Sequence, residues 1–348
     1  MAEQYREKFL TMLHYSNQVF ALALARDVGI MEALLKATRP LSCKEIADEK
    51  ELKERYVQEI LGSLTSSQIV ELQTNANGIT EYFFSEAGKE ALSSGGTYER
   101  TLMFNAIMAS YKAVRECVYR DGPCTARYED DLFYARDEMT QQTVDNTVGL
   151  FLSKAPGLEQ RLEQGISVAE IGSGTGRVLA KLAQKFPNSK FTATDIRPHL
   201  VERMKSLYSH LHNIHYREID ICTFPESIDE QYDFIFTIDV IHDLPYPQKA
   251  LKVLRRYLRG PDGTLIFIDM AGPGSHEANV GDRQAAAMYA TSTFMCIPES
   301  FQQSDGVALG ACSSRDALAK LATDADFNVD TIILEKHVAL FLCKLALN

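Results

Sequence analysis

Residues 168–176 read VAEIGSGTG, an apolar run with one acidic member that ends in glycines at 172, 174 and 176, directly before the helical pattern VLAKLAQKF of 178–186. The spacing predicts a strand, a tight turn and a helix. Glycine is needed where a backbone must turn sharply or approach a ligand closely, and the helix N-terminus adds a partial positive charge at the same point. Such a turn is a nucleotide-shaped cradle, which the rest of the chain has to corroborate.

The spacing also selects the ligand. Dinucleotide folds use G-x-G-x-x-G, whereas here the third glycine comes one residue early and Arg177 holds the place that pattern reserves for a small residue. The sequence E-x-G-x-G-x-G at 170–176 instead resembles motif I of the class I S-adenosylmethionine (SAM) methyltransferases.

The flanking sequence agrees with an α/β fold. After Gly165 the chain alternates SVAEIG, a helix to Phe186, KFTATD, a helix from Pro198 to Tyr208, IHYREID, YDFIFTID, a helix from Gln248 to Leu258, and TLIFIDM. Largely apolar strands alternating with helices specify a doubly wound, mainly parallel sheet buried on both faces. The last strands, FNVDTIILE and HVALFLCKL, are too close in sequence for a parallel crossover and must form an antiparallel hairpin. The expected fold is thus a Rossmann-like sheet with an antiparallel last strand, plus an N-terminal α-helical, winged-helix domain.

That N-terminal domain is read from residues 16–85. NQVFALALARDVGIMEALLK gives apolar helices broken near Asp27 and Gly29; Ser42 and Glu45 form a capping box; KERYVQEILGSL makes a second helix; IVELQ and ITEYFFS flank the turn Asn75–Gly78. Helix, helix, hairpin is a winged helix. Its candidate reading helix carries Lys53, Glu54, Arg55 and Glu59, which nearly cancel, so nucleic acid is not the expected partner and packing into a homodimer is. Domains are expected at 1–96 (winged helix, dimerisation), 97–156 (a helical connector whose Met and aromatic residues, among them Tyr111, Phe133 and Tyr134, contribute to an acceptor pocket) and 157–348 (cofactor binding).

Composition narrows the class further. A net charge of −11 argues against a chain built to grip phosphate backbones. The seven cysteines are scattered with no C-x-x-C, which fits small apolar fillers in a reducing, cytoplasmic setting better than disulfides or zinc. No apolar run reaches membrane-spanning length.

Acidic residues recur where the sheet would present a ligand: Glu170 on the first strand, then Asp195, Asp220, Asp239 and Asp269 at successive strand ends. An acidic rim repels phosphate and attracts cations. Asp195 lies 19 residues beyond Gly176, where a carboxylate can accept from ribose hydroxyls. Over residues 155–348 this constellation, with VAEIGSGTG, TATD and DVIHDL, resembles the class I SAM-dependent methyltransferases, and with the winged helix the whole chain resembles small-molecule O-methyltransferases and their bacterial-type relatives.

The resemblance implies SAM as cofactor, held by Gly172, Gly174 and Gly176, with Glu170 and Asp239 facing the methionyl ammonium, Asp195 and Ile196 at the ribose, and Asp220 with Ile221 or Phe224 at the adenine. It further implies His242 as general base, with Asp243 its neighbour and Asp269 its orienting carboxylate. Leu244 replaces the family tryptophan, and a later acidic partner has no counterpart in GACSSRDAL. A metal held by Asp239, Asp243 and Asp269 is not expected, because the asparagine such sites add is missing nearby. The insertion 272–310 is expected to form a helical lid with Tyr289, Phe294, Met295 and Cys296 lining an apolar pocket. Methyl transfer to a hydroxyl, thiol or amine of a small, partly apolar metabolite is the expected activity. The alternatives are a SAM-binding regulatory or interaction protein without turnover and a winged-helix nucleic-acid binder.

Overall fold

The structure, a computed structural model, describes residues 1–93, 98, 100–126, 130–141, 143–223 and 230–346, with only the helical backbone of 130–134. The expected domain boundary at 96 and 97, Phe224, and the side chains of Phe133 and Tyr134 lie outside the described residues. The chain divides into two compact units, Met1–Met108 with Glu129–Gln142, and Ala109–Tyr128 with Thr143–Asn348.

In the first unit a long helix, Ala2–Asp27, stops where Gly29 takes a left-handed φ of 82°, and a second helix, Ile30–Lys36, follows. Ser42 and Glu45 form the reciprocal capping box that opens the helix Cys43–Glu49. The next helix, Glu54–Ser66, buries Val57, Ile60, Leu61 and Leu64. Strands β1 (Leu41–Ser42), β2 (Glu71–Thr74) and β3 (Thr80–Phe83) make an antiparallel sheet in the order β1-β3-β2. The Asn75 side chain closes the β2–β3 turn by accepting from the amides of Asn77 and Ile79. This is a winged helix, and Arg55 on its second helix is paired with Glu59 on the same helix.

The second unit is built on a seven-stranded sheet: β4 (Ser167–Ile171), β5 (Lys190–Asp195), β6 (Ile214–Glu218), β7 (Phe234–Ile238), β8 (Thr264–Met270), β9 (Phe327–Glu335) and β10 (Val338–Leu345), in the order β6-β5-β4-β7-β8-β10-β9. Strands β4 to β8 are parallel, whereas β10 runs antiparallel to both β8 and β9. With only Lys336 and His337 between β9 and β10, no parallel crossover is possible, and the sequence dictates the reversed strand. Alternation along each strand feeds two cores: Phe234 and Phe236 pack into one face with Phe151 and Phe191, while Ile235 packs into the other with Leu251 and Phe341. Each of these fully buried side chains contributes about 1.5–3 kcal/mol by leaving water. Both faces are sealed, so the carboxyl edge of β4–β8 is where a ligand can meet the sheet. No helix among the described residues is long and apolar enough to cross a membrane.

Candidate functional site

The turn after β4 has the conformation its glycines predict. Gly172, Gly174 and Gly176 all hold left-handed φ values, 69°, 58° and 71°. A Cβ on Gly172 would stand 2.7 Å from Val240 Cγ2, and one on Gly176 would stand 2.8 Å from Met204 Sδ, so both positions let neighbouring elements pack close. Gly174 differs: a Cβ there would meet nothing within 4 Å. Two glycines of the three thus serve packing, and the middle one leaves open space where a side chain would stand.

Below the turn, Glu170 is 4% exposed and its Oε2 has no hydrogen-bond partner. Burial pushes its carboxyl up to about 8, with the nearby Leu179 amide and Ser173 hydroxyl opposing the shift; the Ser173 hydroxyl donates to the Glu170 backbone carbonyl at 3.1 Å. Asp195, also 4% exposed, accepts from the amides of Gly174 (2.9 Å) and Arg197 (3.0 Å) and so clamps the turn to the end of β5. Ile196 beside it is 42% exposed. Asp220 follows β6, half-buried, its Oδ1 accepting from the amide of Cys222 and its neighbour Ile221 buried. Asp239, just past β7, is half-buried with φ 52°, a left-handed strand end that redirects the chain toward Val240 and His242. Across adjacent strands β6, β5, β4, β7 and β8 the order is Asp220, Asp195, Glu170, Asp239, Asp269, one continuous acidic edge.

At its far end lies a buried polar cluster. His242, 3% exposed, sits in the single turn Ile241–Asp243 after β7. Its Nδ1 is hydrogen-bonded to Asp269 Oδ1, and its backbone amide donates to Asp269 Oδ2 at 3.3 Å. Its Nε2 is 3.0 Å from Asp243 Oδ1 and 3.5 Å from Cys296 Sγ. Burial opposes charge on the ring, but Asp243 and Asp269 together outweigh it and hold the imidazole protonated well above the ordinary histidine range. The three residues expected to do chemistry are brought together, with a carboxylate at each ring nitrogen.

Residues 169–265, which contain the glycine turn, Asp195 and His242, match a family described as a methyltransferase domain, and residues 20–92 match an Rv2258c-like winged helix-turn-helix domain. The chain thus carries a winged helix and a methyltransferase domain. It is 30% identical over 105 residues to a malonyl-[acyl-carrier protein] O-methyltransferase of Paenibacillus sp. (strain JDR-2), spanning 29% of this chain and 37% of the length of that curated relative. Its fold is that of human N-acetylserotonin methyltransferase solved in complex with SAM (TM-score 0.63, 15% identity, 98% of each chain covered). A solved structure described as a pericyclic reaction enzyme shares it too (TM-score 0.62, 17% identity, 97% of this chain and 89% of that one).

The insertion of the methyltransferase domain is helical as expected, with helices Arg283–Phe294 and Cys296–Ser300. Asp282 caps the first through the amides of Gln284 and Ala285 and also pairs with Lys336 and His337 at the β9–β10 turn. Phe294 stacks on Tyr111. Two contacts of the second helix were not legible in the sequence. Cys296, expected only as apolar lining, touches His242, and Glu299 pairs with Arg197 beyond β5. The short helix thus contacts the segments that follow two strands, β5 and β7, which flank β4 in the sheet. The two contacts join residues 54 and 102 positions apart respectively, which no local pattern can signal. His210, His212 and His215 are exposed, away from the cluster.

Proposed function

We propose that the chain is a SAM-dependent methyltransferase acting on a hydroxyl, thiol or amine of a small, partly apolar metabolite. The observation that carries the reading is the pairing at the end of β4 of a cation-seeking group with an anion-seeking turn. The buried Glu170 carboxyl lacks a partner at Oε2, and the turn runs into the N-terminus of the helix Arg177–Lys185, with open space at Gly174, whose amide is held by Asp195, where a side chain would stand. A zwitterionic amino-acid group satisfies both, and neither a nucleoside phosphate nor a simple anion does. The residues fit SAM: Gly172–Gly176 and Glu170 would hold its methionyl part with Asp239, Asp195 with Ile196 its ribose, Asp220 with Ile221 its adenine.

Bound there, SAM would supply a methyl group already activated by a sulfonium. The chain's own residues then have to align an acceptor, exclude water and handle its proton. Alignment is worth about 7–11 kcal/mol. The helix Cys296–Ser300 contacts both His242 and Arg197, and His242, oriented by Asp269 and facing Asp243, would take the acceptor proton in its neutral form, which the two carboxylates confine to higher pH than for an ordinary histidine, worth about 10²–10⁴-fold. Titration calorimetry with SAM tests the cofactor reading: Asp195→Ala binding SAM as tightly as the parent sinks the ribose assignment.

A second reading, SAM binding without methyl transfer, is favoured by one feature: both nitrogens of His242 face carboxylates, so the ring is held as an acid. It predicts SAM affinity with no demethylated cofactor formed across phenols, thiols, amines and acids. A homodimer is supported by the helix Ala2–Asp27, where Tyr5, Phe9, Met12, Leu13, Phe20 and Leu24 lie at helical spacing and are all 42–72% exposed, a stripe a second copy would cover.

A further inference from the structure

The cluster behind His242 has a composition that proton transfer does not need: a buried thiol aimed at the ring nitrogen that the acceptor should use. We infer that His242 Nε2, Asp243 and Cys296 Sγ form a binding site for a divalent transition-metal ion, zinc by the chemistry of its donors. The inference deepens the methyltransferase reading by placing a Lewis acid where the acceptor's proton must be lost, and its metal-binding part stands independently of that reading.

Three observations carry it. The donor atoms of His242, Asp243 and Cys296 all lie within 4.8 Å of one another. The separations match a tetrahedral zinc centre: bond lengths of about 2.0–2.1 Å to nitrogen, 2.0–2.2 Å to a carboxylate and 2.3 Å to sulfur give edges of about 3.6 Å for N···S and about 3.3 Å for N···O. The observed distances are 3.5 Å from Nε2 to Cys296 Sγ and 3.0 Å from Nε2 to Asp243 Oδ1. Finally, the ring is already oriented as metal-bound histidines are, its remote Nδ1 held by a carboxylate, Asp269, which is fully buried.

Imidazole, carboxylate and thiolate together suit zinc, whereas magnesium and calcium take oxygen donors. Three protein donors leave a fourth position open, the pattern of catalytic rather than structural zinc. Asp243, with 12% of its side chain exposed against 4% for His242, gives the cluster its opening. With the ion bound, Nε2 would be a ligand and take no proton; a hydroxyl or thiol acceptor at the fourth position would have its pKa lowered and would release its proton to solvent through the opening at Asp243, which makes these the acceptors the site favours over amines. Asp239, His242 and Asp269 also converge, but that grouping lacks a soft donor and would disrupt the Asp269 contact that orients the ring.

Cobalt(II) is the probe. Full-length untagged chain, stripped with a chelator and dialysed, is titrated with cobalt(II) and then zinc(II) while absorption is followed. The expected result is one ion per chain with a thiolate-to-cobalt charge-transfer band and tetrahedral visible bands, displaced by zinc. Cys296→Ala abolishes the charge-transfer band, Cys124→Ser at an exposed thiol leaves it intact, and Asp269→Asn weakens binding about 10–100-fold without moving it. Retained SAM affinity in each variant, by calorimetry, shows that the fold survives. No stoichiometric binding by the parent, or a charge-transfer band that persists in Cys296→Ala, overturns the site. Methyl transfer by fully stripped protein at the parent rate overturns the ion's catalytic role while leaving the methyltransferase reading standing; failure to bind SAM would instead sink that reading and leave the metal titration interpretable.

Discussion

Glu170 offers the sharpest quantitative test, because one residue carries both a stability cost and a proposed ligand contact. Its carboxyl is pushed up to about 8 from an ordinary 4.5, chiefly by burial. The folded state therefore keeps the proton over a range where the unfolded chain has lost it. Stability contributed by the protonated form is fully present below pH 4.5 and is lost as the pH rises to about 8. At about 1.4 kcal/mol per unit, the loss is about 3 kcal/mol by pH 7 and approaches 5 kcal/mol by pH 8. Glu170→Gln keeps the shape and removes the titration. Calorimetric unfolding of ligand-free protein should show Glu170→Gln gaining on the parent steadily from pH 5 to pH 8, by several degrees in Tm. The same substitution should reduce the thermal shift given by SAM, because a neutral amide cannot pair with an ammonium. A parent-to-variant difference that does not change with pH would refute the buried, unpartnered carboxyl on which the reasoning rests.

Other predictions test the remaining parts of the site. Gly172→Ala should reduce SAM affinity at least tenfold by calorimetry, since its Cβ would stand 2.7 Å from Val240 at a φ of 69° that costs alanine about 1–2 kcal/mol. Gly174→Ala faces a similar dihedral strain without a clash, so its smaller loss of folding stability but comparable loss of SAM affinity would separate ligand approach from packing. His242→Ala should lower single-turnover methyl transfer by about 10²–10⁴-fold with SAM affinity retained. Phe9→Glu should shift a dimer to monomer in light scattering, and an unchanged mass would mean that the exposed stripe is not the dimer contact.

Most of the fold was legible because the signals were periodic or local. The capping box at Ser42, the turn at Asn75, the βα alternation and the two-residue β9–β10 link each dictate structure within a few residues of themselves. The acidic edge was legible for a related reason: in a parallel sheet, strand ends close in sequence pattern are close in space. The partners of His242 were only half visible. Asp243 is its neighbour and Asp269 ends the adjacent strand, but Cys296 comes from an insertion whose path depends on packing. Reading the seven cysteines as scattered fillers missed that one of them reaches the ring, since scatter along the chain says nothing about convergence in the fold. Likewise Asp195, whose sequence position suggests a free ribose acceptor, also serves the turn itself by accepting from the Gly174 amide.

The central claim is methyl transfer, and one measurement addresses it most directly. The purified chain, incubated with methyl-labelled SAM and a metabolite extract, should form S-adenosylhomocysteine together with label in an organic-extractable small molecule, and Glu170→Gln and Asp195→Ala should both suppress it. Tight SAM binding by calorimetry with neither demethylated cofactor nor labelled product formed would contradict the claim and favour a SAM-binding protein without methyl transfer.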